Sequence, residues 1–406
     1  VLSALSVITV TTVTACSTTE SRSGGSAPDS SVDRSASPTS VPTSGGVPAP
    51  FAGADDAFYT VPDPLVPAPP GTLIRVQPIA GDADRATEST RVMYHSRDVL
   101  DRDRAVTGVI TVPRAPAPAE GWPVVAWAHG TTGLTSICAP SRNLTRAPTF
   151  GINGVGVATD YIGLGPLGER HAYLSGASEG HSVIDAVRAA RHLASADVST
   201  RWLAIGHSQG GHAALFTNQL GESYAPELDL LGTVAIAPAA VLDQTFGPAD
   251  QIVPRMVGIM ALYGIATDHP ELDVNDYVSA AAAEHEHIID EGCTAEIVTE
   301  MLEVPFDTFY DHDPITTEPA KSIVAENDPG RVRVDAPLLL VQGDADTWVV
   351  PARTDALRSR LCTVGQVVDL VTVKGATHDS VVAQGGAAIT TWLEGRLANT
   401  PAPDTC

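Results

Sequence analysis

Residues 202–211 run Trp202, Leu203, Ala204, Ile205, Gly206, His207, Ser208, Gln209, Gly210, Gly211: an apolar stretch that passes into Gly-x-Ser-x-Gly, with helix-forming residues from Ala213 to Thr217 behind it. A strand that bends so sharply into a helix leaves no room for a Cβ two residues before or after the bend, and Gly206 and Gly210 occupy those positions. Such a turn raises Ser208 above the strand end. A hydroxyl is a poor nucleophile at neutral pH, and there a base can reach it. The segment therefore predicts an α/β architecture with a nucleophilic serine at a strand–helix junction.

A serine centre of this kind needs an acid and then a histidine further along the chain. Residues 336–342 form a short apolar run suited to a buried parallel strand, and Gly343, Asp344, Ala345, Asp346 follow it. Two carboxylates compete. Asp346 is favoured as the acid, because the turn at Gly343 needs length before a side chain can point back; Asp344 reads as a turn carboxylate bonded to its own backbone. Residues 367–373 alternate like a strand and end in Gly375, Ala376, Thr377, His378, Asp379, which makes His378 the base.

The chain has 12 histidines. His285 and His287 are spaced i, i+2, fall on different faces of a helix and read as solvated surface. His171 and His181 precede the serine, in the wrong order for the base, and read as loop or substrate-channel residues. His207 and His212 lie too close to Ser208 in sequence to turn back onto its hydroxyl. His378 alone is late, follows a strand and sits in a Gly-flanked loop.

Acyl transfer also requires two N–H donors where the tetrahedral oxygen develops. The residue after the nucleophile, Gln209, supplies one. The other comes from the loop after an earlier strand, here residues 129–133 behind the apolar run 123–128. Thr131 is the assigned second donor, with Gly130 or Thr132 as alternatives.

Apolar runs predict strands at 73–79, 91–95, 105–112, 123–128, 154–159, 201–206, 232–237, 337–342 and 367–373, with helices between the later ones, so a mainly parallel sheet is expected. Between Pro238 and Thr317 the β pattern stops. Segments 249–265, 274–290 and 294–303 read as amphipathic helices, with Met256, Ile259, Met260 and Leu262 on an apolar stripe. The expected division is a core of 51–238 and 318–406 with a helical cap at 239–317.

Lysine occurs only at Lys321 and Lys374, and Asp+Glu outnumber Lys+Arg 48 to 24. A net charge of −24 repels phosphate backbones and disfavours nucleic acid as a partner. Residues 1–16 read as the tail of a signal peptide, with small residues before Cys16 as in a bacterial lipobox; a lipid on Cys16 would give membrane contact. Residues 17–50, rich in Ser, Pro, Thr and Gly, read as a flexible tether. With Cys16 set aside, Cys138, Cys293, Cys362 and Cys406 remain, and four cysteines allow three pairings. No Cys-x-x-Cys or Cys/His cluster suggests a metal, and the chemistry calls for no cofactor.

Several further stretches accompany these motifs: Cys138, Ala139, Pro140, Ser141 after the donor loop; residues 159–165 (TDYIGLG) after a strand; Asp185 to Ala189 on a helix; and residues 222–228 (ESYAPEL). With them, residues 60–400 resemble a bacterial member of the secretory lipase family of α/β-hydrolases. The resemblance implies a hydrolase core with a helical cap, or lid, inserted after the sixth strand, and carboxylic esters such as acylglycerols as substrates. It also implies the disulfides Cys138–Cys293 and Cys362–Cys406. A serine peptidase or acyltransferase on the same core is the alternative enzyme, and a lipid-binding lipoprotein the non-enzymatic one.

Overall fold

All nine expected strands are present in one sheet of order β1-β2-β3-β5-β4-β6-β7-β8-β9. They are β1 Leu73–Pro78, β2 Thr87–Arg97, β3 Asp103–Pro113, β4 Trp122–Ala128, β5 Val155–Thr159, β6 Val198–His207, β7 Asp229–Ile236, β8 Leu338–Gly343 and β9 Val368–Val373. The structure, a computed structural model, describes residues 46–79, 86–193, 197–244, 252–305 and 308–406. Cys16, the signal-like segment and residues 17–45 of the expected tether lie outside the described residues.

β4 to β9 pair in parallel, and β1, β2 and β3 add an antiparallel flank. Alternation along β6 explains the layering. Trp202 and Ala204 face one side with Val183, Val187 and Ala190 of helix α2 (Gly176–His192) and Ala213 of α3 (Gln209–Tyr224). Leu203 and Ile205 face the other, with Ile389, Trp392 and Leu393 of α11 (Gly386–Leu397). β5 and β8 are buried along their whole length, as parallel strands covered on both faces must be.

The remaining helices are α1 Asp55–Phe58, α4 Ile252–Ile265, α5 Ala280–Ala283, α6 His287–Glu291, α7 Thr294–Met301, α8 Ala320–Glu326, α9 Pro351–Thr363 and α10 Ser380–Gln384. Helices α4 to α8 lie between β7 and β8. Their apolar side chains, among them Met256, Ile259, Met260, Ile289, Ile297 and Ile323, form a separate cluster with Leu134, Tyr173 and Leu174. In chain order this insertion follows the seventh strand. It is the sixth if counting starts at β2 and leaves out β1, the edge strand of the antiparallel flank.

The single helix expected at 274–290 is instead a 3₁₀ turn, Val274–Asp276, followed by the short α5 and α6. Two local caps restart the chain: Asp273 accepts from the Asn275 N–H, and Ser279 accepts from the Ala282 N–H. Between them Val278 bridges to Tyr310, a pairing that takes the backbone out of the helix. Both expected disulfides are formed, Cys138–Cys293 and Cys362–Cys406.

Candidate active site

β5 and β6 lie on opposite sides of β4, so the sheet order reverses there and a crevice opens beyond the carboxyl ends of β4 and β6. Residues 129–133 leave β4 at this point and Ser208 leaves β6. Ser208 takes φ 58° and ψ −117°. A Cβ on Gly206 would fall 1.8 Å from the Gly210 carbonyl oxygen, and one on Gly210 would fall 1.9 Å from that of Ala128. The two glycines are thus what allows the serine its strained position.

The loop after β9 carries His378 to the serine. Its Nε2 lies 2.9 Å from Ser208 Oγ and its Nδ1 2.8 Å from Asp346 Oδ2. The second Asp346 oxygen accepts the N–H groups of Trp348 at 2.8 Å and Val349 at 3.0 Å. Burial raises the Asp346 carboxyl, but the bond and charge of His378 and these two amides outweigh it and hold the group below its ordinary value. Gln342, buried beneath, donates to Asp346 Oδ2 at 3.3 Å. Asp344 is exposed and accepts from the Gly375 N–H at 2.5 Å, so it braces the neighbouring turn rather than its own.

Two contacts on His378 were not evident in the sequence. The Trp348 ring stacks on the imidazole with centroids 5.6 Å apart and planes 10° apart. On the other side His207 Nε2 donates to the His378 carbonyl at 2.9 Å. Burial, and then the neighbouring His378, lower the His207 ring to about 4, so it stays neutral and keeps this donor. Its place inside the Gly-x-Ser-x-Gly bend was the available signal. His171 and His181 do not line a channel: His171 is fully buried, and His181 stacks on Tyr224 at 3.8 Å and bonds the Arg97 carbonyl. His285 pairs with Glu300 at 2.8 Å, while His287 is exposed.

Gln209 opens α3 directly after Ser208, so its N–H is one of those at the helix start that have no acceptor within the helix. On the facing loop, Thr131 Oγ1 shares a 2.9 Å hydrogen bond with Tyr173 Oη. The Tyr161 hydroxyl donates to the His129 carbonyl at 2.8 Å, fixing the start of that loop. Downstream, the Thr294 N–H donates to Thr132 O at 2.9 Å, Gly133 bridges Cys293, and the disulfide from Cys138 closes the same junction. These contacts join the loop to the insertion. Ser208 and His378 open into a cavity of about 340 Å³ whose far wall is Met256, Val257 and Met260 of α4. Among the described residues no group of three or more His, Cys, Asp or Glu side chains could hold a metal ion, and no helix is long and apolar enough to cross a membrane.

Comparisons with known proteins bear on the fold and the family. The fold is similar to that of Candida antarctica lipase A, with a TM-score of 0.72 at 18% identity over 87% of this chain and 88% of that one. It is also similar to a rice cell wall degrading esterase from Xanthomonas oryzae, with a TM-score of 0.65 at 18% identity over 82% and 100%. Among sequence relatives, a probable inactive lipase of Mycobacterium tuberculosis is 25% identical over 87% of this chain and 84% of its own. A secreted triacylglycerol lipase of Malassezia globosa is 24% identical over 85% and 80%. The family model for secretory lipases matches residues 152–405, more than half of the sequence, and the chain belongs to that family, built on an α/β-hydrolase fold.

Proposed function

We propose that this protein is an exported serine carboxylic-ester hydrolase of lipase or esterase type, with Ser208, His378 and Asp346 as its catalytic residues. The hydrogen-bonded chain Ser208–His378–Asp346, at 2.9 and 2.8 Å and open to a cavity, carries the reading. His378 Nε2 takes the Ser208 proton as Oγ attacks the ester carbonyl, and Asp346 holds the ring in the tautomer that leaves Nε2 free. The oxyanion forms between the N–H groups of Thr131 and Gln209. The alcohol leaves with the proton from His378, and water attacks the acyl-enzyme by the same route in reverse.

The insertion acts as a cap. Met256, Val257 and Met260 give the acyl group an apolar wall, which supports acylglycerols or related fatty esters as substrates, as do the secreted triacylglycerol lipases among the relatives. Cys16 is the lipid-modified residue that holds the enzyme to the outside of a membrane through the 17–50 tether; metabolic labelling with an alkynyl fatty acid, lost in Cys16→Ala, tests this. The Mycobacterium relative described as probably inactive favours a second reading, a lipid-binding scaffold without turnover. Hydrolysis of p-nitrophenyl esters from acetyl to palmitoyl, beside Ser208→Ala, separates the two. Turnover lost in the variant is expected. A folded wild-type protein that binds long-chain esters and hydrolyses none would support the scaffold reading instead.

A further inference from the structure

Gln209 enters the chemistry through its main-chain N–H, yet its side chain is buried and held from two directions. Its Nε2 lies 2.6 Å from His171 Nε2 and 2.7 Å from Glu179 Oε1. Glu179, fully buried in the first turn of α2, accepts the Leu174 N–H on the same oxygen at 3.0 Å. Its other oxygen lies 2.7 Å from His212 Nδ1, and His212 Nε2 lies 2.8 Å from the Asn327 carbonyl.

Both nitrogens of His212 are engaged, Nδ1 by Glu179 and Nε2 by the Asn327 carbonyl. His171 Nδ1 donates to the Ile162 carbonyl at 2.9 Å, leaving the Nε2 lone pair for one Gln209 hydrogen. Burial lowers the His171 ring to about 4, which keeps that lone pair free. The second Gln209 hydrogen goes to Glu179. Turning the Gln209 amide away from these two partners would break hydrogen bonds at a buried position.

The same carboxylate reaches the other donor loop. Leu174, whose N–H it accepts, follows Tyr173, and Tyr173 Oη bonds Thr131 Oγ1 at 2.9 Å. We propose that Glu179 is a positioning residue that sets the spacing of the two oxyanion donors, holding Gln209 directly and Thr131 through Leu174 and Tyr173. It touches no substrate. The proposal rests on the assignment of Ser208, Gln209 and Thr131 made above. Loss of a whole oxyanion donor costs roughly 10²–10³ in kcat, and displacing one should cost somewhat less.

The test uses the full chain, with active sites counted by a p-nitrophenyl phosphonate and inhibition measured with a long-chain trifluoromethyl ketone. In Glu179→Ala, kcat per titrated site is expected to fall about 10- to 100-fold with KM nearly unchanged, and the ketone Ki to rise in parallel. In Glu179→Gln, the carboxamide oxygen keeps Leu174 and Gln209 while its N–H donates to His212 Nδ1; kcat within a few-fold of wild type is expected. Gln209→Ala retains the main-chain N–H but not its anchors, and is expected to lose kcat as Glu179→Ala does, so it carries the test if Glu179→Ala does not fold. A lower melting temperature with wild-type kcat and Ki per titrated site in both alanine variants would overturn the proposal. A wild-type protein that is neither titrated nor hydrolytic would instead overturn the reading beneath it.

Discussion

The two disulfides are expected to contribute comparably to stability but very differently to activity. Cys138–Cys293 closes 155 residues and Cys362–Cys406 closes 44. In the chain-entropy model these loops are worth about 5 and about 4 kcal/mol. Spread over residues 46–406 at roughly 2.1 cal/mol/K per residue, they correspond to losses of about 7 and about 5 °C in Tm when each pair is changed to serine. Activity should not follow the same ratio. The first bond lies where Thr294 and Cys293 grip Thr132 and Gly133, beside the proposed oxyanion loop. The second secures only the carboxyl-terminal residues behind α9. Thermal melts followed by ester turnover at 25 °C, well below either transition, are the assay. Cys138→Ser/Cys293→Ser should lose several-fold in kcat, and Cys362→Ser/Cys406→Ser should keep it. Equal turnover in the two folded variants would refute the coupling of the loop to the insertion.

Asp346→Asn should fold normally and lose kcat by about 10⁴, because an amide facing Nδ1 favours the wrong His378 tautomer; circular dichroism with steady-state kinetics checks both halves. Gly206→Ala places a Cβ 1.8 Å from the Gly210 carbonyl and should yield no folded, phosphonate-reactive protein, read by solubility and active-site titration. Stability should fall in acid. His171 and His207 are lowered to about 4 by burial, so their contribution is complete above the unfolded value near 6.5 and is lost as pH falls from there toward 4. Asp185, raised to about 6 by burial, works in the opposite sense below pH 6, but it stands against these two rings and against His129, His181 and His192, which burial also lowers. Urea midpoints at pH 7 and pH 5 should show the decline, and a midpoint that rises toward pH 5 would contradict it.

Much of this was legible in the sequence because it depends on local pattern. Every strand announces itself as an apolar run, and the glycines around Ser208 mark a bend that sterics dictate. The structure brings Ser208, Asp346 and His378 together, and the order of their motifs already pointed to them. The cysteine pairing came from resemblance, since counting alone left three possibilities. What stayed hidden depends on distant partners. The break at 274–290 needs Tyr310 opposite Val278, and Asp344 needs Gly375. Glu179 and His171 are the clearest case. A glutamate followed by Gly180 in the first turn of a helix looks like a solvated residue, and only the packing of α2 against α3 turns it toward Gln209 and His212. His171 does lie in a loop, one of its two sequence readings, but its burial against Gln209 is not visible in that stretch.

The central claim is an acyl transfer through Ser208. It is tested most directly by mass spectrometry of the protein after reaction with a long-chain p-nitrophenyl phosphonate. The account predicts one adduct per chain, on the peptide carrying Ser208, absent in Ser208→Ala and formed far more slowly in His378→Ala. Labelling at another residue, or at the same rate in His378→Ala, would contradict it.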